Sequence, residues 1–239
     1  MPAPDPADPP SASPFARRIL TLTGVAPLGA FLLLHLAINA RALRAQAAFA
    51  VTVDAIHSVP AIAALEWLLV LAPLLVHAAV GLWLVATRRA MADQSPYAAP
   101  LGTAVRATGV AAFAFLAMHL HELRFRAPGA RLGGAELATV LAADLSSVSH
   151  GVPWRGAAYL VGTACVTFHF AAGLWGFAVT RLRDHARTRA GAGWGAAALG
   201  VAIWVILADV VVLHATGARM LGGPAEEPDA KGAPCPARE

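Results

Sequence analysis

The sequence predicts an all-α integral membrane protein: a five-helix bundle in which helices I–II and III–IV form a parallel internal repeat. Three observations carry this reading. First, 58% of the 239 residues are apolar and 13% charged, with the charges gathered between long apolar runs, a membrane composition. Second, five runs, at residues 19–40, 61–87, 104–123, 157–179 and 192–215, reach the ~20 residues that ~30 Å of hydrocarbon requires of a helix. Third, two different histidine contexts each occur twice, in the same order. The runs lack the alternation of a barrel strand, so helices are left as the way to satisfy a backbone in lipid.

Taken in order, residues 1–14 are Pro-rich and acidic, the reverse of the basic start of a signal peptide, and read as a disordered tail. The membrane domain spans 15–217. Run I carries Thr23-Gly24-Val25-Ala26 and then His35-Leu36, and ends at Arg41 and Arg44. Run II begins near Glu66, carries His77-x3-Gly81-Leu82-Trp83 and ends at Arg88 and Arg89. Run III repeats the first pattern as Thr108-Gly109-Val110-Ala111 and His119-Leu120. A segment at 136–147 has the pattern of a short amphipathic helix lying along the surface. Run IV repeats the second pattern as His169-x3-Gly173-Leu174-Trp175. Run V, with Asp209 and His214, has no counterpart, and residues 218–239 read as a second disordered tail.

The net charge of +4 comes mainly from arginine at the ends of the runs. That pattern points to membrane orientation and anionic lipid, not to nucleic acid. Nine short-loop arginines on the side of Arg17 and Arg18, against six on the side of Arg41, put the N-terminus in the cytoplasm of a multi-pass protein of the cytoplasmic membrane. Cys165 in run IV and Cys235 in the tail are too differently placed to form a structural disulfide.

An ionisable side chain in a lipid-spanning helix is costly and marks function by default. Alternating topology puts His35 and His119 at one outer level and His77 and His169 at one inner level, about 10 Å apart in depth at ~1.5 Å per residue. Four histidines in two matched pairs point to two metal centres, each bridging two helices of different repeats. Two axial imidazoles suit a low-spin electron-transfer haem with no open position. Zinc, which prefers four ligands at one point, fits less well. No C-x-x-C-H stretch is present for covalent attachment, so the expected cofactors are two non-covalent haem b groups. Gly81 and Gly173, one turn beyond His77 and His169, leave room for a large flat ligand.

A lone membrane histidine is as often a packing residue as a ligand; here the repeat and the shared depth tip the balance. His57, His150 and His185 fall in loops, and His214 belongs to neither repeat and reads as interfacial. His121 is the substitute for His119, about 200° away around the helix. Glu66 stands three turns before His77 on the same face, where it serves quinone protonation or simply hydrogen-bonds at the helix start.

With these residues assembled, the chain resembles the single-subunit di-haem cytochrome b of succinate:quinone oxidoreductases, the five-helix anchor also found in fumarate reductases. The resemblance covers about residues 15–216 and rests on Arg18-x5-Gly24-x10-His35-Leu36 with Asn39, on Glu66-x6-Pro73-x3-His77-x3-Gly81, on Arg106-x2-Gly109-x9-His119-Leu120 and on Tyr159-x9-His169-x3-Gly173. It implies that His35 and His119 bind a distal haem and His77 and His169 a proximal one. It also implies two partners on the inner face, an FAD-containing dicarboxylate-oxidising subunit and an iron–sulfur subunit. Electrons would run from succinate to a quinone, menaquinone by resemblance, or in reverse for fumarate reduction. Some relatives that reduce fumarate carry a glutamate two residues before the fourth-helix ligand; Thr167 stands there instead, which leans towards succinate oxidation. The alternatives are a di-haem cytochrome b of another membrane oxidoreductase, of nitrate reductase or hydrogenase type, and a haem-free transporter.

Overall fold

The computed structural model describes residues 13–87, 99–125, 132–181 and 186–221. Among the described residues, seven helical elements follow one another: α1 Pro14–Leu43, α2 Gln46–His57, α3 Ile62–Ala86, α4 Leu101–Phe125, α5 Gly134–Leu145, α6 Trp154–Thr180 and α7 Arg187–Thr216. All but α2 and α5 are long and apolar enough to cross a membrane. The chain is an all-α, multi-pass membrane protein. Among the described residues there is no strand, only an isolated bridge between Ser149 and Val152.

α1 starts earlier than its apolar run because the Ser13 hydroxyl accepts the Ala16 N–H at 3.2 Å and Pro14 occupies the first turn, a favoured N-terminal pairing. Its Gly24–Leu28 stretch is π-helical and holds Pro27. Gly24 precedes His35 by eleven residues, whereas Gly109 precedes His119 by ten in the regular helix of α4. A π-turn accommodates one extra residue, so α1 carries the longer spacing without rotating His35 away from its partner.

α1 packs against α3 and α6, and α4 packs against α6 and α3, which closes a four-helix ring with α1 diagonal to α4 and α3 diagonal to α6. α7 lies outside that ring along α6 and reaches the end of α1 and α5. Half of its apolar window is buried, against 6–28% in the other spans, which makes α7 the packing spine. On the other spans Leu34, Leu68, Leu75 and Val161 are exposed, as a lipid-facing surface requires.

The face where α1 ends is capped by α2 and α5. The sequence reading places a surface helix at 136–147, and α5 forms two residues earlier. It contains no expectation of α2, whose Phe49 and Val53 are buried with Ala42, Leu141 and Leu213. The Asp54 carboxylate of α2 accepts the Gly134 N–H at 2.7 Å, filling an open donor at the start of α5. A side chain at Gly134 would strike the backbone of Ala50, so only glycine lets the two helices cross this closely.

Residues 218–221, which the sequence assigns to the C-terminal tail, fold back on this face. Arg219 donates to the Leu43 carbonyl at 2.6 Å, and the Met220 N–H donates to Asp209. The rest of both predicted tails, with Cys235, lies outside the described residues, as do His185 and the loop arginines Arg88, Arg89, Arg126, Arg131 and Arg183.

Candidate functional site

The four histidines meet as two pairs, each along a diagonal of the ring. His35 of α1 faces His119 of α4 with ring centroids 5.9 Å apart and planes at 88°. His77 of α3 faces His169 of α6 at 6.2 Å and 89°. The His77 ring lies against Gly24 and the His169 ring against Gly109. The two levels are therefore about 15 Å apart along α1 and α4, before the lean of each side chain towards its helix N-terminus shortens that distance. Imidazole nitrogens bind a metal at about 2.0–2.1 Å, with about 1.1 Å more to the ring centre, so two rings sharing one ion would have centroids up to about 6.3 Å apart. Both pairs are close to that spacing.

The inner imidazoles, those nearer Pro14, are oriented by hydrogen bonds. His169 Nδ1 lies 3.1 Å from the Val105 carbonyl oxygen, so Nδ1 carries the proton and donates. His77 Nδ1 lies 3.0 Å from Thr23 Oγ1. The Thr23 O–H itself donates to the Ile19 carbonyl at 2.7 Å, so its oxygen accepts from Nδ1–H. Each bond selects the tautomer whose Nε2 lone pair is free to bind metal. A Cβ at Gly24 would come within 2.8 Å of His77 Cε1, and one at Gly109 within 2.8 Å of His169 Cε1. The two rings are nested across the neighbouring helices at matched glycines.

The outer pair is held by aromatic rings. Phe31 stacks on His35 at 5.4 Å and Phe115 on His119 at 5.7 Å, each Phe one turn before its histidine. Tyr159 flanks His119 at 5.7 Å. His119 Nδ1 is buried without a hydrogen-bond partner. Among the described residues no three His, Cys, Asp or Glu side chains gather into a metal cage. Each donor set is two imidazoles, which suits a metal whose other positions a macrocycle fills.

Around the outer pair runs a polar cluster that sequence reasoning only partly reached. Glu122, three residues beyond His119, is buried and accepts from the Tyr159 hydroxyl at 3.2 Å. Arg155 lies 3.7 Å from Glu122 and pairs with Asp144. Glu66 sits at the same end, 3.7 Å from Arg124. The available signal for Glu122 was its position next to a candidate ligand at a helix end.

The remaining candidates separate from the pairs. His121 and His150 are exposed, and Thr167 is buried, with its hydroxyl bonded to the Thr163 carbonyl at 2.9 Å. His214, near the end of α7, is 4% exposed and packs against Phe49 at 6.1 Å. Asp209 is fully buried and accepts the Met220 N–H. At Gly173 a Cβ would meet nothing within 4 Å, and at Gly81 only Leu20 Cδ2 at 3.9 Å. The glycines that the inner imidazoles rest against are Gly24 and Gly109.

Fold and site thus define a multi-pass membrane bundle with two imidazole pairs on its diagonals, the class of the membrane b-type cytochromes. The chain is 35% identical over 167 residues to the succinate dehydrogenase cytochrome b558 subunit of Bacillus subtilis (strain 168), a match covering 70% of this chain and 79% of that one. It belongs to the family of succinate dehydrogenase cytochrome b subunits. No family model matches the chain, and no solved structure does.

Proposed function

We propose that the chain is the membrane anchor and electron-transfer subunit of a succinate:quinone oxidoreductase. The observation that carries the reading is the spacing of the two imidazole pairs, 5.9 Å and 6.2 Å, on crossing diagonals at two depths. His77 and His169 hold an inner haem b, His35 and His119 an outer one, both non-covalently. When bound, each haem supplies a one-electron couple; the protein supplies its position, its insulation from water and its potential. An FAD-containing subunit and an iron–sulfur subunit dock on the cytoplasmic face, which also bears the N-terminus. With haem bound at both pairs, electrons would pass by way of the inner pair and then the outer pair to menaquinone, or in the opposite order for fumarate reduction.

Each part of the bundle has a task in this scheme. Thr23 and Val105, by engaging Nδ1, would leave Nε2 of His77 and His169 free to hold the inner haem. Phe31, Phe115 and Tyr159 exclude water around the outer ligands. Gly81 and Gly173 leave room beside the inner macrocycle. Glu66, paired with Arg124 at the outer end, is placed to exchange protons with a quinone near the outer haem. The parallel internal repeat is supported by the recurrence of spanning helix, twelve-residue cap helix and spanning helix in each half, and by the matched Gly and Phe contacts of the four histidines.

The test is a difference spectrum of native membranes and of the purified complex, with dithionite and then with succinate as reductant. Two b-type haems per chain, at least one of them reduced by succinate, are expected. Haems that ignore succinate in the intact complex would move the chain to another di-haem oxidoreductase, and no haem would end the reading.

A further inference from the structure

The two inner imidazoles are inequivalent in a way that the repeat alone does not suggest. Leu20 and Val105 stand three residues before Thr23 and Thr108, and the Val105 carbonyl lies 3.1 Å from His169 Nδ1. The hydroxyls differ. Thr108 donates to the Ala104 and Val105 carbonyls, at 2.8 Å and 3.2 Å, and no bond joins it to His169. Thr23 donates to the Ile19 carbonyl and turns its oxygen to His77 Nδ1 at 3.0 Å. Only His77 therefore has a side-chain acceptor on its distal nitrogen.

We infer that Thr23 is a positioning residue that tunes the inner haem through His77. The inference rests on the reading of His77 and His169 as haem ligands. An acceptor on Nδ1–H shifts electron density onto the imidazole and strengthens it as a ligand. A stronger donor favours the ferric over the ferrous state, so the hydroxyl lowers the potential of the inner couple. Removing the hydroxyl takes this acceptor away while the close approach to Gly24 still holds the ring in place. Haem binding is then retained while the potential moves. The contact sits next to Gly24, where the ring is already fixed by close approach, so the hydroxyl has a fixed target.

The experiment compares wild type, Thr23→Val and Thr23→Ser in the intact complex, by haem content, potentiometric titration and the low-temperature ferric EPR signals. Thr23→Val is expected to keep two haems and to favour reduction of the inner one about threefold to tenfold, or about 28–59 mV at 59 mV per decade for one electron. The outer couple stays unchanged, the inner ferric signal shifts, and Thr23→Ser restores wild-type values. Unchanged inner potential and signal in Thr23→Val with both haems present would overturn the inference, as would equal movement of both couples. Loss of the inner haem from Thr23→Val would also overturn it, since the tuning role requires that haem to stay bound. His77→Ala guards the underlying reading: if that variant still binds two haems, the ligand assignment itself is wrong and the tuning role falls with it.

Discussion

Gly109→Ala would place a methyl group where the His169 imidazole already lies. The new Cβ would stand 2.8 Å from Cε1 and 3.1 Å from Nδ1 of that ring, whereas carbon atoms rest at about 3.5–4.0 Å. The ring must retreat by about 0.7 Å or more, which takes the 3.1 Å bond to the Val105 carbonyl beyond hydrogen-bond range. Leaving that buried donor unmet costs about 1–2 kcal/mol, and crowding adds about 1–2 kcal/mol. Alanine in place of glycine in a helix returns about 1 kcal/mol. The net loss of about 1–3 kcal/mol, at about 1.4 kcal/mol per decade, weakens retention of the inner haem roughly 5- to 140-fold. Haem per chain and the reduced-minus-oxidised spectrum, followed through detergent dilution, read this directly. Gly195→Ala is the control, since its Cβ meets nothing within 4 Å. Two haems with a wild-type spectrum in Gly109→Ala would refute the nested-ring argument.

Three further outcomes follow from the same contacts. Gly173→Ala clashes with no protein atom within 4 Å, so a shifted inner-haem band in that variant would come from the macrocycle itself, and an unchanged spectrum would remove Gly173 from the site. Asp54→Ala removes the acceptor for the Gly134 N–H; at about 1 kcal/mol for a lost helix cap it lowers Tm by about 2–4 °C with both haem bands intact. Glu66→Gln keeps the carboxyl's shape but neither its charge towards Arg124 nor its proton exchange. Succinate should still reduce both haems while quinone reduction slows about tenfold or more, and full quinone turnover would exclude Glu66 from protonation.

Much of this bundle is legible in one dimension because lipid imposes simple rules. Five spans follow from length and apolarity, and the His35/His119 and His77/His169 pairings follow from alternating direction and distance to the charged ends. What depends on a neighbouring helix is harder to see. The sequence draws attention to Gly81 and Gly173, one turn from their own histidines, yet the glycines that let the imidazoles approach are Gly24 and Gly109, on different spans. Their partners are fixed only once α1 meets α3 and α4 meets α6. Thr23 looks like one half of a Thr-Gly repeat, and nothing local reveals that its oxygen turns to His77 while Thr108 stays with its own helix. α2 escapes notice because its inward residues, Phe49 and Val53, cover the bundle end and not a soluble core. His214 reads as interfacial near a helix end, and nothing local reveals its packing against Phe49 of α2.

On the proposed reading, the two imidazole pairs bind two haems independently. The most direct measurement is haem stoichiometry in native membranes for wild type, His119→Ala and His169→Ala, with the two bands resolved by redox titration. Two haems in wild type are predicted, with loss of only the outer one in His119→Ala and only the inner one in His169→Ala. Loss of both or of neither in the single variants, or a wild-type chain with fewer than two haems, would contradict it.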